Sequence, residues 1–473
     1  MRSCCGTAVP HPDSSYETFA GPVADWVVRL TAGLTRSVQA SDQTLGHLEE
    51  EILHQTRELE RRLLEAAAQR KADQTPPRCP VCGHALTRRT PAPERTCQTR
   101  FGAVMIRRLR GWCRRCRAWR FPADHALGLS EAGSASPSVQ EMAALVASKL
   151  PVAEASAVLE RLTGVKLPPA TLDREARRQG QRAERKRTEL DEQRRTAQGA
   201  EQLLPRPEAP FTLILELDAW NLCERDDWGR TAALRRQGRE PERWHWVYGG
   251  TCFRLDQRVE SDRGRPCILS RGPGMTRQGV EGLREQLVAE AQGHGLAQAA
   301  KVLVVADGAV WIWNLAGDRF PQAQQRLDSH HAREHLWAVA HALHPDEEGA
   351  ARQWVEPMLA QLQRGRAPAL LNDLRTLGRR RRHKKRQVVA GELAYLESHR
   401  HRMDYAAARR AGEPEGSGAM ESTCRQYQCR FKRPGQFWSR AGDEALMCLE
   451  TFWRNGRWHL LFPHIRHQDP SKN

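Results

Sequence analysis

The sequence predicts a multidomain α/β protein whose core contains a mixed β-sheet. Two Cys-x-x-Cys pairs delimit a small module between residues 77 and 128. Short helical segments, separated by prolines and a glycine, follow up to about residue 204. Beyond residue 205, apolar β-branched runs alternate with amphipathic segments, which is typical of strands and helices that share one α/β domain.

Composition and charge favour a folded protein that binds a polyanion. The chain has 473 residues, enough for roughly three domains of about 150 residues each. A hydrophobic content of 40% argues against wholesale disorder. The formal net charge of +17 favours nucleic acid, with a solvated basic surface as the alternative.

The cysteines and the apolar runs indicate the cellular compartment of the protein. Of 13 cysteines, four form the two pairs and the others are scattered, which favours metal binding in a reducing compartment over disulfides. No apolar run reaches the length of a membrane helix, and the first residues lack the apolar core of a signal peptide. We therefore expect a cytoplasmic, nucleoid-associated protein without membrane contact.

Residues 1–76 are predicted to form an N-terminal helical region. Leucine and isoleucine recur near one face between Leu45 and Lys71, which is typical of a surface helix packed on a core. A short coiled coil for self-association is the alternative, but it needs a longer heptad run. Pro76 and Pro77 end the helix.

The cysteine pairs predict a zinc ribbon over residues 77–128. Two thiolates on a tight turn hold half of a tetrahedral zinc shell, and a second such turn supplies the other half. Gly83 permits the sharp turn after the first pair, and the segment between the pairs is typical of a β-hairpin arm. We expect Cys97 and His84 not to bind the metal. The predicted Zn²⁺ ligands are Cys79, Cys82, Cys113 and Cys116.

Arginines are frequent in this module, and Trp112 and Trp119 lie among them. Basic residues interleaved with aromatic residues suit contact with DNA phosphates. A structural ribbon with solvated arginines is the alternative. The residues predicted to contact DNA are Arg107, Arg108, Arg114 and Arg115, with Arg110, Arg117 and Arg120 nearby.

Residues 129–204 are predicted to form a helix-turn-helix-like domain. Helices are expected at 138–150 and 151–163, and Gly164 occupies a helix C-cap position. A third helix begins at Pro169 and would enter a DNA major groove, although any small helical bundle gives a similar pattern. Its predicted DNA contacts are Arg174, Arg177 and Arg178.

From residue 205 the predicted order is three strands, one helix, and then two further strand–helix pairs. That order is typical of a ribonuclease-H-like fold, in which carboxylates on the first and fourth strands meet at one edge of a mixed sheet. Residues 205–331 would form the first part of this core. The predicted strands are 211–218, 243–255, 266–270, 301–307 and 323–327, and the predicted helices are 276–292, 309–315 and one from His331.

Carboxylates occur at the ends of these predicted strands. Asp218, Asp307 and Asp328 each follow an apolar run, and His331 comes three residues after Asp328. Ligands bind at that edge of open α/β sheets. Aspartate also begins turns and caps helices, so a structural turn is the alternative at Asp307. Two such strand ends followed by a histidine favour a functional site.

Residues 332–414 are predicted to form a helical, basic insertion, and residues 415–473 to complete the core. The insertion contains eight consecutive basic residues, which repel one another unless a polyanion is present. Contact with the DNA backbone is favoured over a solvated loop. The residues of this run predicted to contact DNA are Arg379, Arg380, Arg381, Arg382, Lys384, Lys385 and Arg386.

The last segment carries Glu421 on a predicted helix that Ser417 helps to begin. By composition alone, Glu421 is one helical glutamate among many. Arg430 and Lys432 are predicted to contact DNA, and Trp438 either stacks on a flipped base or packs in the core.

Together these segments resemble the DDE transposases of bacterial insertion sequences, in the branch related to the Mutator superfamily. The resemblance covers residues from about 205 to 470. This sequence has Ala219 after the first aspartate, where the family commonly has glycine, and Glu216 shares a strand face with that aspartate. The resemblance is carried by Asp218, by Asp307-Gly-Ala-x-Trp-Ile, by Asp328-x-x-His331 and by Gly-Ser-Gly-x-x-Glu421-Ser.

The resemblance implies a DNA transposase that cleaves insertion-sequence ends and transfers the strand to target DNA. Asp218, Asp307 and Glu421 would hold Mg²⁺ or Mn²⁺ ions for in-line phosphoryl transfer. Asp328 and His331 would assist catalysis, with His331 positioning a phosphate or a metal-bound water. Double-stranded DNA would be the partner, and the chain would act as a homo-oligomer on it.

Two other functions remain open. One is a zinc-ribbon and helix-turn-helix DNA-binding protein with an inactive transposase-derived core. The presence of all three acids argues against such a decayed core. The other is a nuclease that hydrolyses DNA without joining it, and an assay of strand joining separates it from a transposase.

Binding of the purified chain to a DNA duplex should weaken steeply as salt rises. Lysine and arginine release counterions when they neutralise phosphates, so a protein with about 6–10 phosphate contacts loses about 10³–10⁵ in affinity between about 50 and 200 mM salt. Fluorescence anisotropy of a labelled duplex across that range measures the slope. An affinity that does not change with salt would remove the polyanion argument.

Overall fold

The structure, a computed structural model, is mixed α/β. It describes residues 17–39, 43–129, 133–195, 209–225, 229–240, 242–379 and 383–464. The chain divides into two compact units, residues 1–176 and 177–473. Within the described ranges, no helix is both long enough and apolar enough to cross a membrane.

The first unit contains an antiparallel three-stranded sheet packed against a long helix. Ala68 of that helix is buried against Cys97, Val104 and Ile106 of the first two strands, which form the predicted hairpin arm. The first two helices contact each other, and the Trp26 indole N–H donates to the Gln55 carbonyl. The elements are α1 (Glu17–Gln39), α2 (Leu45–Gln74), β1 (Thr87–Thr99), β2 (Gly102–Cys113), β3 (Ala118–Arg120) and α3 (Pro122–Ala126).

Three further helices follow in the order expected from the sequence. Ser136 begins the first, because its hydroxyl accepts the Val139 N–H. Gly164 ends the second in the left-handed conformation with φ of 67°, which a glycine adopts without steric strain. The helices are α4 (Pro137–Lys149), α5 (Val152–Thr163) and α6 (Pro169–Arg195).

The second unit is built on a five-stranded mixed sheet. Its strands are β4 (Thr212–Arg225), β5 (Glu242–Arg254), β8 (Gly272–Thr276), β9 (Lys301–Ala306) and β10 (Gln324–Leu327). The spatial order is β10-β9-β4-β5-β8. β4 pairs antiparallel with β5 and parallel with β9, β5 pairs antiparallel with β8, and β9 pairs parallel with β10.

Helices cover both faces of this sheet. Leu213, Leu215 and Leu217 of β4 join the large core formed with the helices between β8 and residue 410. Ile214 lies on the opposite face, where Ala419 of a later helix packs. The helices are α7 (Thr231–Arg236), α8 (Gly279–Gly293), α9 (Val310–Arg319), α10 (Ser329–Leu343), α11 (Glu348–Gln363), α12 (Ala367–Arg379), α13 (His383–Ser398), α14 (Tyr405–Arg410), α15 (Gly418–Phe431), α16 (Arg440–Arg454) and α17 (Trp458–Leu461).

The predicted third strand is misplaced by a few residues. Residues 266–270 do not join the sheet, because β7 (Pro266–Ile268) pairs with β6 (Arg258–Glu260) in a separate two-stranded hairpin. The third strand of the sheet is instead β8. Its sequence, Gly-Pro-Gly-Met-Thr, lacks the β-branched signature of a strand, and its proline is tolerated because β8 lies at the sheet edge.

Two helical glycines should respond in opposite ways to alanine. A Cβ at Gly180 of α6 would lie 2.5 Å from the Ala445 carbonyl oxygen of α16, whereas a Cβ at Gly391 of α13 would meet nothing within 4 Å. Gly180→Ala should destabilise the protein by about 1–3 kcal/mol through overpacking. Gly391→Ala, the matched control, should stabilise it by about 0.5–1 kcal/mol. Urea unfolding followed by circular dichroism measures both changes, and equal effects would contradict the close approach of α6 and α16.

Candidate active site and candidate metal centre

Strand register places three aspartates at one edge of the sheet. The residues aligned across β4, β9 and β10 are Leu217, Ala306 and Leu327. Asp218, Asp307 and Asp328 each follow one of these residues directly. The three aspartates therefore occur at the same level on three neighbouring parallel strands. The sequence predicted a strand end at each aspartate. β9 and β10 do end there, but the predicted end at Asp218 is wrong, because β4 continues to Arg225 in its pairing with β5.

Asp218 and Asp307 form the half-buried centre of this edge. Asp218 Oδ1 accepts the Ala219 N–H at 2.6 Å, and Asp307 Oδ1 accepts the Ala309 N–H at 2.9 Å. Burial raises the pKa of Asp218, and the negative charge of Asp307 raises this pKa further. The Ala219 N–H, the Cys424 thiol and His331 oppose the increase. The charge of Asp307 therefore acts on the Asp218 carboxyl across the two neighbouring strands.

Asp328 has a different environment, because both of its oxygens are bonded within the fold. Oδ1 accepts the His330 N–H at 2.6 Å and so caps α10. Oδ2 accepts the Ser417 N–H and the Ser417 hydroxyl, each at 2.6 Å. The side chain is buried. Asp328 therefore joins the end of β10 to the beginnings of α10 and α15, which is a positioning role at this edge.

Glu216 is a second buried carboxyl that holds α15. Its Oε2 accepts the Met420 N–H at 2.8 Å, in the first turn of that helix. Burial raises the pKa of Glu216 to about 8, hydrogen bonds from Met420 and Ala419 oppose this increase, and the charge of Asp328 adds to it. The sequence suggests only that Glu216 shares a strand face with Asp218. Its contact with α15 has no signature in the local sequence.

The third predicted acid, Glu421, lies on α15 close to this edge but faces solvent. Its side chain is 62% exposed and forms an ion pair of 2.5 Å with Arg425. Cys424, one helical turn later on the same face, is close enough to Asp218 for a hydrogen bond. Glu421 thus lies one helical turn from a residue that contacts Asp218, but the described part of the chain does not gather Asp218, Asp307 and Glu421 closely enough to hold a metal. The structure brings together Asp218 and Asp307, and it leaves the Glu421 carboxylate turned towards Arg425.

Histidines of α10 line the neighbouring surface. His331 Nδ1 lies 3.1 Å from Glu334, and its ring is near enough to Asp218 to act on that carboxyl. His335 follows one turn later, and its Nδ1 is bonded to Glu392 of α13. The sequence singled out His331 but missed His335, whose spacing of four residues from His331 was the available signal.

Tyr395 of the inserted helices packs over the loop that follows Asp307. A Cβ at Gly308 would lie 2.1 Å from the Tyr395 hydroxyl oxygen, so only glycine fits there. The phenol ring stacks on His335 with centroids 3.6 Å apart. Burial and the charge of Asp307 raise the pKa of Tyr395 to about 12, so the hydroxyl keeps its proton at neutral pH. Tyr395 is a site residue that the sequence did not indicate.

The four cysteines of the first unit converge on one point. Their sulfur atoms all lie within 4.8 Å of one another, which suits the tetrahedral shell of a zinc ion. Among the described residues, this is the one group of histidine, cysteine or acidic side chains that is close enough to hold a metal. The cluster comprises Cys79, Cys82, Cys113 and Cys116. The four sulfur atoms are therefore arranged as predicted for a Cys₄ metal site.

Two matching turns build this centre. Gly83 and Arg117, the residues after each cysteine pair, both have positive φ, of 74° and 50°. The Gly83 N–H donates to the Cys79 carbonyl at 2.9 Å, and the Cys116 N–H approaches Cys113 Sγ at 3.4 Å. Burial raises the pKa of Cys79, but backbone N–H groups that favour its thiolate lower this pKa to about 6 overall. Thiolates are the form that binds metal.

Cys97 and His84 lie outside the cysteine cluster, as expected. Burial raises the pKa of Cys97 to about 11, and this side chain packs among the apolar residues between α2 and the sheet. The His84 ring is exposed, and its Nδ1 lies 3.1 Å from the Cys82 carbonyl oxygen. Neither side chain belongs to the group that can hold a metal.

The predicted DNA contacts of the first unit differ in accessibility. Arg107, Arg114 and Arg115 are exposed, and Arg174 is exposed on α6. Arg108 instead forms an ion pair with Asp124 and lies 4.5 Å over the Phe121 ring. DNA contact by Arg108 therefore finds no support in its position, because its guanidinium is held inside the fold.

The predicted DNA contacts of the second unit divide in the same way. Arg177 and Arg178 of α6 are half-buried. Arg430 is buried, and Trp438 is 7% exposed, with its indole N–H donating to the Phe431 carbonyl. Stacking of Trp438 on a base finds no support, because Trp438 packs in the core. Arg380, Arg381 and Arg382 lie outside the described residues. The exposed residues of the predicted set are Arg379, Lys384, Lys385, Arg386 and Lys432.

Comparisons with protein families and with curated proteins do not indicate a function for this chain. No protein-family model matches the chain, and no curated protein sequence matches it. The positions of the carboxylates, histidines and cysteines therefore carry the argument.

The cysteine cluster should bind one zinc ion per chain. Cys113→Ser should abolish this stoichiometry, because serine does not replace a buried thiolate ligand. Elemental analysis of the full chain after removal of free metal measures the zinc content. Cys97→Ser is the matched control, since Cys97 is buried in the same unit but lies outside the cluster. Equal zinc in the wild type and in Cys113→Ser would contradict the assignment.

Proposed function

We propose that the chain is a DNA transposase that cleaves strands at the ends of an insertion sequence and joins them to target DNA. The observation that carries the proposal is the pairing of Asp218 and Asp307 at aligned positions on adjacent parallel strands. The helix that bears Glu421 is attached to that same edge by Glu216 and Asp328. Three acids from distant parts of the chain thereby belong to one region of the fold.

The sheet topology supports the same proposal. The sheet order β10-β9-β4-β5-β8, with three antiparallel strands followed by two parallel ones, is the order expected of a ribonuclease-H-like core and so supports the proposal. In such a core the first and fourth strands lie side by side, as β4 and β9 do here. The helices between β10 and α15 would then be an insertion into that core.

Carboxylate oxygens are the ligand type that Mg²⁺ and Mn²⁺ prefer, although Asp218, Asp307 and Glu421 are not among the described groups close enough to hold a metal. Asp218 and Asp307 supply hard oxygen ligands. Burial raises the pKa of Asp218 and the charge of Asp307 raises it further, and a cation between them would offset that repulsion. Glu421 would complete the set after its carboxylate leaves Arg425. When bound, such ions stabilise the attacking and leaving oxygens of an in-line phosphoryl transfer.

The surrounding side chains would position the phosphate. His331, partly exposed beside Asp218, would donate a hydrogen bond to a phosphate oxygen or to a water molecule. Tyr395 keeps its proton and packs on Gly308, so it would fix the loop that follows Asp307. No nucleophilic side chain is required, because a water molecule and then the freed 3′-hydroxyl attack the phosphorus.

The basic surfaces would hold double-stranded DNA. Exposed arginines of the first unit surround the cysteine cluster, which would make this module a zinc ribbon that presents them to phosphates. Arg174 on α6 would contribute to a helix-turn-helix-like contact. We further propose that the protein acts as a homo-oligomer on DNA in the cytoplasm, associated with the nucleoid.

A second candidate is a DNA-binding protein whose transposase-derived core is inactive. The observation that favours it is the ion pair between Glu421 and Arg425, which keeps the third carboxylate away from the two aspartates. A nuclease would use the same acids but would release hydrolysed ends without joining them. The assay below separates the three functions.

Asp307→Asn should abolish metal-dependent cleavage and joining of a DNA fragment that carries the element's own ends. Loss of one ligand carboxylate should reduce the rate on the order of a thousandfold, equivalent to about 4 kcal/mol in the barrier. Asp318→Asn, an exposed aspartate of the adjacent helix, is the control and should leave the rate unchanged. Gel analysis in Mg²⁺ resolves cleaved and joined products.

Each other outcome of this assay favours a different function. End binding without cleavage in either Mg²⁺ or Mn²⁺ would support the inactive core. Cleavage without joining would support a nuclease. Equal cleavage by the wild type and by Asp307→Asn would remove Asp307 from the site.

A further inference from the structure

Two tryptophans of β5 are exposed to an unusual degree. Trp244 is 62% exposed and Trp246 is 55% exposed, more than any other tryptophan among the described residues. They lie two positions apart on one strand, so both project from the same face, with Cα atoms about 7 Å apart. Large aromatic side chains that remain in water in a folded protein mark a surface that a partner covers.

Strand pairing places these tryptophans on an arm that extends beyond the acid edge. Trp246 lies opposite Asn221 of β4, and Trp244 lies opposite Cys223. Asn221 is three residues past Asp218, so Trp246 is about 10 Å along the strand from the level of the aspartates. Because Asn221 is an odd number of residues from Asp218, both rings project from the sheet face opposite to the Asp218 side chain. A partner at the acid edge would therefore have to pass around the arm to reach them.

Further aromatic rings continue the row towards the acid edge. Tyr248 lies opposite Ala219, the residue after Asp218. The Tyr248 ring packs edge-on against Trp311, with centroids 5.2 Å apart. Trp311 belongs to α9, which begins three residues after Asp307. Trp244, Trp246, Tyr248 and Trp311 thus form one aromatic row, which we call the β5 platform.

Positive charge accompanies the β5 platform. Lys432 Nζ lies 5.8 Å from the centre of the Trp244 ring and donates to Asn221 Oδ1 at 2.9 Å. Arg236 and Arg239, which precede β5 in the chain, are exposed. An apolar protein surface that covered the β5 platform would bring these cations into contact with apolar groups. A partner with anionic phosphates and flat rings satisfies both the cations and the tryptophans.

We propose that the β5 platform binds unpaired DNA, with bases stacked on Trp244 and Trp246 and phosphates near Lys432. Stacking requires an open base face, which the interior of a duplex does not offer, so the ligand is single-stranded. The proposal deepens the proposed function and rests on it, since the unpaired segment would be the strand that leaves the duplex beside the aspartates. The platform thus binds the separated strand after it has passed to the face of the sheet opposite to Asp218.

The affinity of the full chain for a labelled 20-nucleotide oligothymidine tests this proposal, with a duplex of equal length as comparison and no divalent metal present. Trp244→Ala and Trp246→Ala should each weaken single-strand binding by about 5-fold to 150-fold, the range found when one stacked base is lost. Duplex affinity should change less than twofold. Trp244→Phe should retain most of the single-strand affinity, because it keeps an aromatic face.

Trp453→Ala is the matched control. Trp453 is 44% exposed but lies on α16, away from β5, so its loss should leave both affinities unchanged. Thermal melting and sedimentation of each variant follow folding and oligomeric state. Unchanged single-strand affinity in both β5 variants would overturn the proposal. A shift to a smaller oligomer with single-strand affinity intact would overturn it too, because a second copy would then cover the platform.

The test is independent of the reaction, because binding is measured without metal. If the tryptophan variants lose single-strand affinity but the wild type never cleaves DNA, the platform proposal is retained and the transposase function is contradicted. If the protein cleaves DNA but Trp244→Ala and Trp246→Ala both bind single strands as the wild type does, the platform proposal is wrong and the transposase function is retained.

Discussion

Two buried carboxyl groups hold the first turn of α15, and the candidate active site depends on them. Glu216 accepts the Met420 N–H, and Asp328 accepts both the N–H and the hydroxyl of Ser417. The first turn of a helix has N–H groups without intrahelical partners, and the oxygens of these two carboxyl groups accept from them. Leaving one such buried group without its partner costs about 1–3 kcal/mol. Without this attachment, nothing in the local sequence would keep α15 beside β4 and Asp218.

The same attachment explains how the core accommodates a long inserted segment. Asp328 and Ser417 are 89 positions apart in sequence, yet the Ser329 N–H also donates to the Glu415 carbonyl at 2.9 Å. Arg326 reinforces the junction through a buried ion pair of 2.7 Å with Glu413. The inserted helices therefore leave and re-enter the sheet at one point, so their length does not disturb the strands. They also contribute to the site, because α13 returns Tyr395 to Gly308.

Acidic residues of one sheet face thus have different roles according to what covers them. Glu216 and Asp328 are buried under α15 and serve the fold, whereas Asp218 and Asp307 lie near the open edge and remain accessible to a ligand.

The cysteine module of the first unit has a very small apolar cluster. Leu86, Cys79 and Cys113 are the buried residues of the small cluster around the cysteines, too few to form a stable apolar core. A metal held by the four thiolates would supply the missing stability.

The sequence by itself determined the features that follow from local patterns. Apolar runs located β4, β9 and β10, cysteine spacing located the metal centre, and acids at strand ends located the edge of the sheet, because backbone periodicity and short turns are local properties. The tertiary structure decided which side chains are covered. Trp438 is buried against Phe431 while Trp244 and Trp246 stay exposed, and Gly272–Thr276 becomes a strand only because β5 pairs with it. Burial and pairing depend on segments that are distant in the chain, and no local pattern records them.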